Sequence, residues 1–283
     1  MLPNEEHLRT IQRILVALDS SEHSLAALDV AASLAAQLQA ELEALFIEDL
    51  DLLRLADLPC AQVTSVLLME TERIDRERME RRLRLQAERI HRALQRRAAA
   101  LGVRVTFRSV RGNVEEEVRA AAAEADLLGL GKADYRYGGV SGFGPTLQAA
   151  LVTGRPLLVL ESRPLVGRGL LAIYDGSRAG VRATALAAEL ARRTRQELHV
   201  LALAGSPSDA QQLGAEVQVR LKEQDVQPYL SYAWGEPAQA ILSAARRLRP
   251  ALLLLGLQGD EGAGQGRTDR VLEAVRCPLL LVP

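Results

Sequence analysis

The sequence predicts an α/β fold made of two tandem copies of one domain, each a five-stranded parallel sheet with helices on both faces. Three observations predict it. The chain has 283 residues, and domains of ~150 residues make two the expected number. The first half repeats in the second. Short apolar runs alternate with stretches of helical period, which is the pattern of βα units with right-handed crossovers.

The repeat is read residue by residue. Arg13-Ile-Leu-Val-Ala-Leu-Asp19 corresponds to Gly169-Leu-Leu-Ala-Ile-Tyr-Asp175, an offset of 156. At that offset Glu41-Leu42 falls on Glu197-Leu198, Leu45 falls on Leu201, and the alanine-rich stretch 26–36 falls on 182–192. Later segments repeat with altered spacing: Arg111-Gly-Asn-Val with Trp234-Gly-Glu-Pro, Ala125-Asp-Leu-Leu-Gly-Leu-Gly131 with Pro250-Ala-Leu-Leu-Leu-Leu-Gly256, and Arg155-Pro-Leu-Leu-Val-Leu160 with Cys277-Pro-Leu-Leu-Leu-Val282. The polar break carrying Pro164 and Gly167 separates a first domain, 1–164, from a second, 165–283.

Strands are expected near 13–19, 41–47, 103–109, 126–131 and 156–161, then near 169–175, 197–204, 226–233, 251–256 and 278–282. Their continuous apolar runs suit strands buried on both faces. Between them Leu25, Leu28, Ala32 and Ala35 mark one helix face. The architecture is therefore Rossmann-like in each half. The first half carries an insertion: a long connection from Glu48 to Glu70, then a helix to about Leu101. Leu83, Ala87, Ile90, Leu94 and Leu101 form its apolar stripe, and Arg73, Arg76, Arg81, Arg82, Arg92 and Arg96 crowd the other face. That face reads as solvated, with pairs such as Glu77–Arg81 and Glu88–Arg92, or as a docking surface for an acidic partner.

Composition excludes several function classes. The formal net charge is -1 and aromatics are 3%, so neither a global field for nucleic acid or anionic membrane nor a base-stacking platform is expected. No apolar run reaches the ~18 residues of a membrane span, and Met1 to Thr10 lacks the apolar region of a signal peptide. Cys60 and Cys277, one per half, fit a reducing cytosol. His7, His23, His91 and His199 have no metal-ligand or triad spacing, so no metal and no catalytic residue are expected.

Ligands of open parallel sheets bind beyond the carboxyl ends of the strands. Asp19 and Asp175 stand there, followed by Ser20-Ser21 and Gly176-Ser177, and either hold a ligand or cap a helix. The fourth strands run into glycine loops. One spans Gly131 to Gly144-Pro145-Thr146; the other spans Gly256-Leu-Gln-Gly259 to Gly266-Arg-Thr268. Glycine lets backbone approach a phosphate, and a following helix start supplies free N–H groups; a plain surface loop also favours glycine. Gly129-Leu-Gly-Lys-Ala-Asp134 lacks the last glycine of a dinucleotide fingerprint, and no Ser/Thr follows Lys132 as in a P-loop.

A first-strand Asp, a Gly-x2-Gly-x9-Gly-Ser/Thr loop after strand four and a Pro opening strand five together resemble the universal stress protein family, over nearly the whole chain and twice. The run Gly235-Glu-Pro-Ala-Gln-Ala-Ile-Leu242 is similar as well. The resemblance implies adenine nucleotide alpha hydrolase-like domains and a pseudo-dimer of the two halves through their last strands, with a further homodimer open. It implies a cytoplasmic, non-enzymatic regulatory protein that acts on an unidentified protein partner. It places ATP or AMP, with Mg²⁺, at Asp19, Ile47, Gly131, Gly144 and Thr146, and at Asp175, Leu203, Gly256, Gly259, Gly266 and Thr268. The chain departs from the pattern. Asp134 replaces the second glycine of the first loop and Pro145 the Ser/Thr, which removes an N–H and a hydroxyl. In the second loop the stretch to Gly266 is short, and Arg267 stands where Ser/Thr is usual. Three readings follow: partner binding with degenerate loops and no cofactor; an ATP or AMP sensor using the second-half loop; and an ATP-hydrolysing enzyme, for which no Ser-Gly-Gly-x-Asp-Ser phosphate loop is present.

Overall fold

The computed structural model describes residues 11–18, 23–50, 53–54, 62–65, 70–73, 76–131, 150–160, 167–257 and 263–283. The first half contains β1 (Arg13–Leu18), α1 (His23–Leu38), β2 (Glu41–Asp49), β3 (Gln62–Ser65), β4 (Glu70–Arg73), α2 (Arg76–Leu101), β5 (Val105–Gly112), α3 (Val114–Ala122), β6 (Leu127–Gly131) and β7 (Leu157–Leu160). The second contains β8 (Leu170–Tyr174), α4 (Arg178–Thr194), β9 (Leu198–Ala204), α5 (Pro207–Lys222), β10 (Tyr229–Trp234), α6 (Pro237–Leu248), β11 (Leu252–Gly256), α7 (Ala263–Ala274) and β12 (Leu279–Val282).

Ten of the strands form one sheet, ordered β10-β9-β8-β11-β12-β7-β6-β1-β2-β5. Each half is a parallel sheet with the same internal order, and the halves meet through their last strands. There β12 and β7 run antiparallel, with Leu280 opposite Leu158. The pseudo-dimer is thus one continuous sheet. Its seam is wholly apolar because Leu157, Leu158, Leu280 and Leu281 are all buried. Helices α1 and α4 also pack together across it.

Alternation along the strands divides the core into two layers. Ile14, Val16 and Leu18 of β1 join Leu254 and Leu280 on the face covered by α1, α2, α4 and α5. Leu15 and Ala17 join Leu253 and Leu281 on the face covered by α3, α6 and α7. Both faces of each central strand are apolar because both are covered.

Local signals set the helix starts. Asn113 caps α3 by accepting from Glu115 N and Glu116 N, and Glu236 caps α6 by accepting from Gln239 N. These caps occupy equivalent places in the repeat, each after a glycine; Gly235 adopts φ +91°. Ser206 followed by Pro207 starts α5. The inserted helix α2 buries Leu83, Ala87, Ile90, Leu94 and Ala98. Ala98, four residues after Leu94, continues the stripe, and Leu101, the last residue of the helix, is only half-buried and packs at its end. The expected pair Glu88–Arg92 forms at 3.9 Å. The long connection contains β3, and β4 takes the first residues expected to be helical, so the helix starts at Arg76 rather than near Glu70; β3 and β4 form an antiparallel hairpin.

Candidate functional site

In the second half, the carboxyl ends of β8, β9 and β11 converge. Register sets Tyr174 beside Ala202, and Leu254 beside Ala172. Asp175, Leu203 and Gly256 therefore stand at neighbouring strand ends, as expected. Ile47 and Gly131 stand at the matching ends of β2 and β6 in the first half, where Leu18 is beside Phe46 and Ala17 beside Leu130. Asp19, Gly144, Thr146 and Gly259 lie outside the described residues.

Asp175 is fully engaged. The backbone N–H and the hydroxyl of Ser177 both donate to Oδ1, at 3.1 and 2.5 Å. Ser177 is the N-cap of α4, and its hydroxyl oxygen accepts from Gly180 N at 3.0 Å. Gly176 makes the turn between them at φ +74°. Both readings of this Asp-x-Ser were open; here Ser177 caps the helix and Asp175 orients the cap.

The other carboxylate oxygen is taken from the far side of the loop. Arg267 Nη1 donates to Asp175 Oδ2 at 2.9 Å, and Nη2 donates to the Gly256 carbonyl at 3.2 Å. The two side chains are 9% and 10% exposed. Burial by itself would raise the Asp175 carboxyl, but the Ser177 hydroxyl and the Arg267 guanidinium outweigh it and hold the group below the usual carboxylate range. Arg267 Nε is buried without a partner. That orphan donor is a cost the ion pair must offset.

The backbone closes on the same point. A Cβ on Gly256 would stand 2.4 Å from Ala179 C and 2.5 Å from Gly180 N, and one on Gly180 would stand 2.4 Å from Asp175 Oδ1. Strand β11 therefore ends directly against the first turn of α4, where Ser177 has already engaged Gly180 N, and its carbonyl engages Val181 N. Thr268 is buried in α7, whereas Gly266 is exposed with nothing within 4 Å of its Cβ position. Arg270 reaches Glu236 at 3.2 Å, tying α7 to α6.

Arg267 is the residue whose role the sequence reading missed. Its signal was present: a cation in the usual Ser/Thr place, in a shortened loop, with a fixed carboxylate at the end of β8. At the equivalent end of the first half, Arg111 spans Glu48 and Glu80 instead, joining β5, β2 and α2. Its guanidinium is held charged chiefly by the hydrogen bond to Glu48. Among the described residues, no group of three metal-ligating side chains could hold an ion, and no helix is long and apolar enough to cross a membrane.

With this geometry in view, comparison with known proteins decides the family. The model of the universal stress protein family matches residues 10–148 and again 168–283. The chain belongs to the universal stress protein family. No curated protein matches it. Among solved structures, a universal stress protein from Archaeoglobus fulgidus DSM 4304 is similar over 98% of this chain and 97% of its own, at 17% identity and a TM-score of 0.72. A functionally unknown protein from Pseudomonas aeruginosa PAO1 is similar over 97% and 93%, at 15% identity and a TM-score of 0.62. At such identities the likeness is one of fold. It extends over the whole length, so this universal stress protein is a tandem one.

Proposed function

We propose that this universal stress protein is a regulatory binding protein that works through a protein partner, with the nucleotide position of its second half closed by its own side chain. The observation that carries the reading is the Asp175–Arg267 pair. The carboxylate that the family resemblance assigns to adenine is engaged at both oxygens: Ser177 donates twice to Oδ1 and the buried Arg267 guanidinium holds Oδ2, so at most one of its ~four acceptor sites stays open. Admitting a base there means breaking a buried ion pair, a cost of about 3–5 kcal/mol. That is comparable to a millimolar affinity, about 4 kcal/mol, so weak binding would be erased.

Partner binding has a surface to use. Arg78, Arg81, Arg82, Arg89, Arg92 and Arg96 share the exposed side of α2, opposite its buried stripe. Arg81, Arg82 and Arg89 have no carboxylate within ion-pair distance among the described residues. Guanidinium forks in a row match carboxylates in a row, so an acidic protein segment is the expected occupant. Among the described residues no group of three metal-ligating side chains could hold an ion, and turnover of ATP is not expected.

The test is thermal unfolding of desalted protein with and without millimolar Mg·ATP, ADP or AMP, beside capture of partners by wild type and by an Arg82→Glu, Arg89→Glu variant. The reading expects no nucleotide shift that depends on Asp175, and a partner lost on charge reversal. A shift abolished by Asp175→Ala, or steady ATP turnover lost in the same variant, would overturn it.

A further inference from the structure

The two outer edges of the ten-stranded sheet are built differently. Strand β5 carries Arg108 and Arg111, and Arg104 directly precedes it; they pair with Glu43, Glu48 and Glu41 of β2. Charged edges of this kind resist pairing with another sheet. The opposite edge, β10, has no charged residue from Val226 to Gly235. It exposes Tyr229 at 57%, Tyr232 at 45% and Trp234 at 54%. Trp234 is the only tryptophan of the chain, and these three are a third of its nine aromatic residues. Exposed aromatics gathered on one uncharged edge mark an interaction surface.

The surface is shaped as well as apolar. Gly214 of α5 makes room for the Tyr232 ring: a Cβ there would stand 2.4 Å from Cε1. Tyr229 stacks on His199 at 5.0 Å. A groove of about 380 Å³ beside Tyr232 and Trp234 runs along α6 past Ala240 and Arg247.

We propose that β10 is the contact between two copies of this chain, paired antiparallel about a two-fold axis. This goes beyond the regulatory reading and does not depend on the closed nucleotide position. Four arguments favour a second copy. The last strands of the two halves, β7 and β12, already pair with each other within the chain, so β5 and β10 are the edges of the sheet. An uncharged strand pairs with itself without like charges meeting, whereas β5 against β5 would set arginine against arginine. Pairing β10 with β5 of another copy would be head-to-tail and grow without closing, while β10 with β10 closes. The area also suffices: six half-exposed aromatic rings supply roughly 600 Å², about half of a small specific interface, and the strand backbones and Leu230 add to it.

The register follows from geometry. Directly opposed residues of an antiparallel pair face the same side of the sheet, so the axis must pass through one residue. Through Ser231 it would bring together the two Arg247 side chains, each 3.5 Å from its own Ser231. Through Tyr232 it sets the two tyrosines against each other and Trp234 against the partner's Leu230, which are favourable cross-strand pairs.

The test uses the full chain. Sedimentation between about 1 and 100 µM should show a dimer, and the emission of Trp234 should shift to the blue as the dimer forms. Tyr232→Lys should weaken dimerisation by at least ~100-fold while leaving the far-ultraviolet circular dichroism unchanged; Tyr229→Lys serves if that variant unfolds. Tyr232→Cys should cross-link to itself on mild oxidation, since opposed Cα atoms at ~5 Å are within disulfide reach; Thr106→Cys on β5 should not. A monomer throughout the range, or a dimer indifferent to both lysine variants, would overturn the proposal.

Discussion

Replacing Arg267 by alanine should be among the costliest single changes at the surface of the second half. The guanidinium is 9% exposed and its partner carboxylate 10% exposed, so the variant leaves a buried charge without its counter-ion. Such losses run to about 3–5 kcal/mol. Asp175 keeps two donors from Ser177, which places the expected loss near the lower end, about 3 kcal/mol. At ~2–4 °C per kcal/mol, the melting temperature should fall by roughly 6–12 °C. Asp175→Ala should cost a similar amount, because Arg267 is then held only by the Gly256 carbonyl. The double variant should lose clearly less than the sum, with a coupling of at least ~1 kcal/mol by urea titration. The pair is also pH-linked. Asp175 has a depressed folded pKa, so its contribution is complete above the unfolded value of about 3.9 and is lost as pH falls through the folded one. The gap between wild type and Arg267→Ala should therefore close only in strong acid. Additive effects, or a loss below ~0.5 kcal/mol as at an ordinary surface site, would refute the reasoning.

Three further outcomes are expected. Gly256→Ala should destabilise by about 2 kcal/mol or more in urea, because its Cβ meets backbone atoms of Ala179 and Gly180 that cannot rotate away. Tyr174→Phe should cost about 1 kcal/mol by the same titration, through loss of the 2.7 Å bond from the tyrosine hydroxyl to Glu216. Burial first, and then this bond, raise the Tyr174 pKa; wild-type stability should thus decline above about pH 10, where the unfolded tyrosine ionises first, and Tyr174→Phe should flatten that decline. Leu280→Ala at the seam should cost about 2–5 kcal/mol and, since β12 carries β7, should lower the unfolding of both halves in one transition by differential scanning calorimetry.

Most of the fold was legible because the strands are buried on both faces. Arg13–Leu18 and Leu252–Gly256 are continuous apolar runs ending at a polar residue or a glycine, and such runs mark length and boundary together. The ends of β2 and β5 were less legible: Glu48, Asp49, Arg111 and Gly112 extend the ladder beyond the apolar run, because charge pairs across the strands replace burial there. The hairpin β3–β4 left no signal in hydrophobic period, being short and polar, as Glu70–Arg73 is. At the candidate site, Asp175 and Gly256 were placed at strand ends by their position after apolar runs, and Leu203 by the family resemblance. Arg267 could be seen as a departure, but its pairing could not, because Asp175 and Arg267 are 92 residues apart and meet only when α7 folds over β8.

The most direct measurement is nucleotide binding by the second half alone, with the first-half aspartate removed by Asp19→Ala. In that background, titration calorimetry and thermal unfolding with millimolar Mg·ATP, ADP and AMP should show no binding while Arg267 is in place. A stabilisation approaching ~2.7 kcal/mol, that of a ligand at 100 times its Kd, abolished by Asp175→Ala would contradict it, because Asp175 would then be open to a base rather than held by Arg267.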